Sequence, residues 1–144
     1  MDLDTALQQL FATNFVAYYR AHTAHVNITG RNFVSDHKML GKIYEDLQGA
    51  IDPIAEIIRT REAFMPTSLA QVLTNSDIED SDVEGSADDL LNTVLEDQLE
   101  LIEIYRELVV AAEDEGIVEI ANYAQDRLLR HDTYAWQLRS ILEE

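Results

Sequence analysis

With 144 residues, 47% of them apolar, the chain has room for one real core and reads as a single domain over 1–144. It holds no cysteine, which excludes disulfides, zinc fingers and thiolate-held clusters. Its 28 acidic and 10 basic residues give a net charge of −18, which repels nucleic-acid phosphates and anionic membranes and attracts cations.

The opening MDLDTALQQLF is acidic and lacks a basic n-region and a small-residue cleavage site, so cytoplasmic residence is the expectation. No run approaches the apolar length of a membrane span. Only two prolines and five glycines punctuate the chain, which favours long helices. Residues 2–28 form the first helix, apolar at Leu3, Leu7, Leu10, Ala17 and Ala21, with a second stripe at Phe11, Phe15 and Tyr18. The Asn27–Gly30 stretch breaks it, and Asn32 is placed to cap the next helix.

The second helix spans 33–62. Phe33, His37, Leu40, Tyr44, Leu47, Ile51, Ile54 and Ile58 alternate steps of four and three, which makes one packing seam. Pro53 would clash with the carbonyl of residue 49, and glycine there accommodates a kink. Residues 68–76 read as a short helix in the connection, and the acidic run 77–89 as a solvated loop. A third long helix covers 86–113, with Leu91, Leu95, Ile102, Tyr105 and Val109 inward, and Gly116 closes it. A fourth covers 117–142 on the seam Ile117, Ala121, Ala124, Leu128, His131, Ala135, Leu138 and Leu142. The expected fold is all-α: a four-helix bundle with one long crossover that carries a short extra helix.

Four side chains suited to metals surround the first helix–helix turn: His25, His37, Asp52 and Glu56. Imidazole and carboxylate together suit iron, zinc or manganese. His37 and Asp52 lie roughly 22 Å apart along one helix, too far to share an ion. They meet only if a second copy of the helix runs antiparallel beside the first. The spacing therefore points to a homo-oligomer with metal sites across a two-fold axis. His22, one turn before His25, reads either as a supplementary ligand or as a hydrogen-bonded interface histidine. His131 lies on the apolar seam of the last helix and reads as a satisfied core histidine. Trp136 and the tyrosines read mainly as packing residues. No Glu-x-x-His pair occurs, so a di-iron site inside the bundle is not written here.

The stretch AHVNITGRNFVSDHKML, followed by DPIAE, resembles the signature of the Dps family, the mini-ferritins. RHDTYAWQLRSILE is similar to that family's Trp-containing last helix, and PTSLAQVLTNS to its short connecting helix. The resemblance implies a ferritin-like bundle assembled as a hollow dodecamer. It also implies that His25, His37, Asp52 and Glu56 form an inter-subunit ferroxidase centre. There Fe(II) would be bound and oxidised with hydrogen peroxide, and ferric mineral stored inside as a defence against oxidative stress. Iron entry is expected at acidic openings near the last helix turn, with Glu113, Asp114, Glu115 and Glu119 as candidates.

The chain departs from the family pattern at several points. Gly41 stands where a carboxylate ligand is usual, which weakens the second iron position and suggests repair by Gly41→Asp. Val26 replaces a tryptophan, and Ile57 replaces an arginine, although Arg59 and Arg61 are close. No basic N-terminal arm is present, so DNA binding is not expected. The competing readings are a structural or metal-buffering cage with impaired oxidation, favoured by Gly41, and a DNA-compacting protein, opposed by the charge.

Overall fold

The computed structural model describes residues 1–143. Its elements are α1 (Leu3–Asn27), α2 (Phe33–Thr60), α3 (Leu69–Asn75), α4 (Ala87–Asp114) and α5 (Val118–Leu142), with no strand among the described residues. The architecture is an all-α four-helix bundle with one crossover that carries the short α3. Antiparallel partners α1 and α2 pack together, as do α4 and α5, while α1 also packs on α4 and carries α3. No described helix is long and apolar enough to cross a membrane.

Local chemistry explains the helix ends. Asp2 caps α1 by accepting from Thr5 N at 2.7 Å. Ser86 and Asp89 form a reciprocal capping box at α4, so Asp88 and Asp89 belong to a helix start rather than to a solvated loop. Gly116 takes a left-handed φ of +72° after α4, and Ile117 N then donates to Ala112 O at 2.9 Å. Two expectations fail at the ends of α2. Asn32 makes no side-chain cap bond there. The helix stops at Thr60 rather than 62, because Glu62 turns left-handed (φ +63°) and folds the chain back onto Arg59 and Ile58 carbonyls.

Pro53 lies inside α2 without ending it. Its missing N–H frees the carbonyl of Gly49, and position 49 is exposed, so water can satisfy that group. The core follows the apolar seams: Leu3, Leu7, Leu10, Leu40, Leu47, Ile54, Ile58, Leu91, Tyr105 and Leu138 are all buried. Each such aliphatic side chain contributes ~1.5–3 kcal/mol relative to exposure. Trp136 breaks the packing expectation, since it is 59% exposed on the outer face of α5.

The crossover is not free. Arg20, on α1, donates through Nη1 to Ser81 O and Ser81 Oγ, both at 3.0 Å. Its Nε meets Asp97 of α4 at 2.7 Å. Asp77 N donates to Thr13 Oγ1, and Ile78 is buried, so the first half of the acidic segment, 77–81, is pinned. The result for function is positional: the short turn at 28–32 sets the C-terminal end of α1 beside the N-terminal end of α2.

Candidate metal centre

That turn brings His25 and His37 into contact. Their rings stack with centroids 3.8 Å apart and planes at 15°. His25 Nδ1 lies 2.6 Å from His37 O, and His37 Nδ1 lies 2.7 Å from His25 O. A carbonyl only accepts, so each Nδ1 must carry the proton. The clasp therefore leaves Nε2 free to present a lone pair when a metal binds, and it fixes ring orientation as backbone carbonyls commonly do behind metal-ligating histidines. Phe33 stacks on the far side of His37 at 5.0 Å.

Gly41 has a steric role as well. A Cβ built there would lie 3.0 Å from His25 Cε1 and 3.2 Å from His25 Nδ1. The imidazole of His25 thus occupies the space that a side chain at 41 would enter. The simple addition of a carboxylate at this position is not available without moving that ring.

His22 sits on the same groove, half-buried, its ring stacked on Tyr44 at 4.3 Å and 12°. Tyr44 in turn lies 4.9 Å from His25. Asp52 and Glu56 are exposed, one turn apart near the other end of α2, and neither forms an ion pair among the described residues. The fold therefore gathers the three histidines but leaves the two carboxylates about four helical turns away. Among the described residues no three His, Asp or Glu side chains of one chain converge as a metal site. Arg61 is committed to Asp4 and, at 3.0 Å, to Glu115, while Arg59 stacks over Phe64 at 4.3 Å. Glu113, Asp114, Glu115 and Glu119 all lie exposed around the α4–α5 turn, with Glu115 already paired to Arg61.

His131 is fully buried and hydrogen-bonded, as the apolar seam suggested. Arg127 Nη2 donates to its Nε2 at 2.8 Å, and its Nδ1 donates to Gln98 Oε1 at 2.7 Å. Arg127 also pairs with Asp46 at 2.7 Å, which links α2, α5 and α4 through the bundle centre. Burial, then the neighbouring Arg127, pushes the His131 pKa down to about 3. Burial pushes Asp97 up to about 6 in spite of Arg20 beside it. Apart from Arg127 and His131, one helical turn apart, the sequence gives no local signal for these ties, because the other partners lie 77, 81 and 33 residues apart.

Known proteins resemble the chain along its whole length. The family described as Ferritin-like domain matches residues 5–144. A Brevibacillus brevis protein named DNA protection during starvation protein is 26% identical, covering 98% of this chain and 100% of its own. A Helicobacter pylori (strain J99) protein of the same name is 28% identical, covering 94% of this chain and 95% of its own. The crystal structure of a Vibrio cholerae Dps protein, described as a member of a broad superfamily of ferritin-like diiron-carboxylate proteins, superposes with a TM-score of 0.92. It is 26% identical, covering 98% of this chain and 89% of its own.

Proposed function

The chain belongs to the ferritin-like domain family, on its Dps branch, and on that footing we propose that it is a cytoplasmic ferroxidase that assembles as a hollow dodecamer. The whole of 1–144 acts as one ferritin-like domain. Fe(II) binds where His25 and His37 of one copy meet Asp52 and Glu56 of an antiparallel second copy. Two Fe(II) ions give one electron each to hydrogen peroxide, which takes up two protons and leaves as two waters. Ferric mineral collects inside, and the cell is protected by removal of both reactants.

The observation that carries this reading is the reciprocal His25–His37 clasp, which holds two Nε2 donors ready at the end of a helix whose far end bears an unpaired Asp52/Glu56 couple. Neutral imidazole and anionic carboxylate together form a donor set that suits iron. The carboxylates also stabilise the extra positive charge that oxidation creates. Glu113, Asp114 and Glu119 serve as acidic entry residues, with Glu115 held back by Arg61. Protection of DNA, which the relatives carry in their names, is here indirect.

Gly41 favours a second reading, a metal-buffering cage with slow oxidation, because one family carboxylate is missing. The test is anaerobic Fe(II) titration followed by peroxide, with absorbance and particle mass recorded together. The proposal expects a large particle, Fe(II) bound before oxidant, and fast ferric absorbance on peroxide addition. His25→Ala, His37→Ala and Asp52→Ala should each lower binding or rate. Binding without peroxide-dependent oxidation would favour the buffering cage. A strictly monomeric chain would remove the basis of the centre.

A further inference from the structure

His22 is the one histidine of the groove with no hydrogen bond to its ring nitrogens among the described residues; His25 and His37 each commit Nδ1 to the other's carbonyl. It is half-buried on the face of α1 that carries His25, one turn away. Tyr44 fixes its ring by parallel stacking at 4.3 Å, although nothing polar holds it.

Ring geometry separates the three imidazoles by role. The His25 and His37 planes are nearly parallel and 3.8 Å apart, so their in-plane lone pairs run side by side and do not converge on one ion. His22 and His25 differ: their centroids lie 6.3 Å apart with planes at 36°. A metal ion ~2.0–2.1 Å from one nitrogen of each ring allows ring centres up to about 6.5 Å apart. That limit belongs to a linear arrangement, and a tetrahedral angle brings the centres to about 5.2 Å. The His22–His25 pair, at 6.3 Å, reaches it when the His22 ring, which no hydrogen bond restrains among the described residues, swings toward His25 by about 1 Å.

We propose that His22 and His25 form an imidazole pair for a divalent transition-metal cation, separate from the ion held at His37, and that this pair supplies the second metal position which Gly41 leaves without a carboxylate. The inference rests on the two-fold centre proposed above and adds a ligand to it. Two neutral nitrogen donors select borderline ions such as Co(II), Zn(II) and Fe(II) over Mg(II) or Ca(II), which prefer oxygen. Tyr44 acts as a positioning residue that aims His22.

The test uses the metal-free assembled protein and Co(II), read by its visible ligand-field bands and by calorimetric stoichiometry. Wild type should bind two Co(II) per subunit, with the bands of both lost on dialysis against chelator. His22→Gln should keep the particle mass and bind one, and Tyr44→Leu should weaken the same step without removing the other. His37→Ala should remove the remaining ion from His22→Gln. Two ions in His22→Gln, or a single ion in wild type that His22→Gln leaves unchanged, would overturn the inference while the two-fold centre stands. No Co(II) or Fe(II) bound by the wild-type particle would overturn both.

Discussion

At the scale of single residues, Gly41 shows why a pattern read by spacing can miss a contact. The sequence marks it as an absent carboxylate, whereas the structure shows that the His25 ring lies over it, with only 3.0 Å to a built Cβ. His25 cannot retreat freely, because its Nδ1 is held by His37 O at 2.6 Å. Gly41→Ala isolates this effect, since it adds no ligand. It should raise helix propensity by up to ~1 kcal/mol yet weaken metal binding at His25 several-fold. Calorimetric metal titration beside thermal melting checks both signs; unchanged affinity would show that the ring moves without consequence. Two buried groups make a second prediction. His131 folds with its pKa depressed from 6.5 to about 3, so its contribution is full above pH 6.5 and is lost as pH falls toward 3. Asp97 folds with its pKa raised from 3.8 to about 6, so its contribution is present below pH 3.8 and is lost as pH rises through 6. Between about pH 4 and 6 each group contributes a slope of up to ~1.4 kcal/mol per pH unit, and the two oppose. Asp97→Asn removes one of them. Its melting temperature should therefore fall more steeply than wild type between pH 6 and 4; parallel curves would mean that Asp97 titrates near its ordinary value.

At the scale of elements, the helices were legible because their signals are local. Four–three apolar rhythm, Gly116 and the break before Gly30 place every helix end within two residues of where it lies. The crossover was legible only as acidic, because what holds it comes from elsewhere. Arg20 reaches Ser81 and Asp97, so a segment that reads as solvated is tied to both α1 and α4. The candidate centre divides in the same way. The His25–His37 meeting follows from a tight turn, and the need for a second copy follows from helix length, but the carbonyl clasp and the Tyr44–His22 stack depend on ring rotamers that spacing does not encode. The Arg20 anchor is testable. Arg20→Met removes the strap's donor and leaves Asp97 buried without its cation, a loss on the order of 3 kcal/mol. Hydrogen exchange should speed up across 76–86 more than in α5, and Asp97→Asn in the same background should recover part of the stability. Equal exchange in the strap of both proteins would show that Ile78 and Asp77 hold it alone.

At the scale of the whole molecule, apolar exposure and charge act together. Tyr19, Val26, Val34, Phe64 and Leu69 are all exposed on one copy of the chain, and Val26 and Val34 lie beside the His25–His37 turn, where the proposed centre needs a second copy. Assembly also multiplies the net charge of −18 carried by each chain, although bound protons and cations reduce the effective value. Non-specific DNA affinity comes from lysine and arginine that replace counterions along the phosphates. Here Arg20 is already spent on Asp97 and Ser81. Arg61 and Arg127 are likewise paired with carboxylates. The assembled protein should therefore give no shift of duplex DNA at about 0.15 M salt, where charges are screened beyond ~8 Å. Lower salt should not rescue binding, because weaker screening strengthens the repulsion of an anionic particle. A shift that persists with metal chelated would refute the claim, and one that appears only with added divalent ions would place the contact in metal bridges between carboxylate and phosphate.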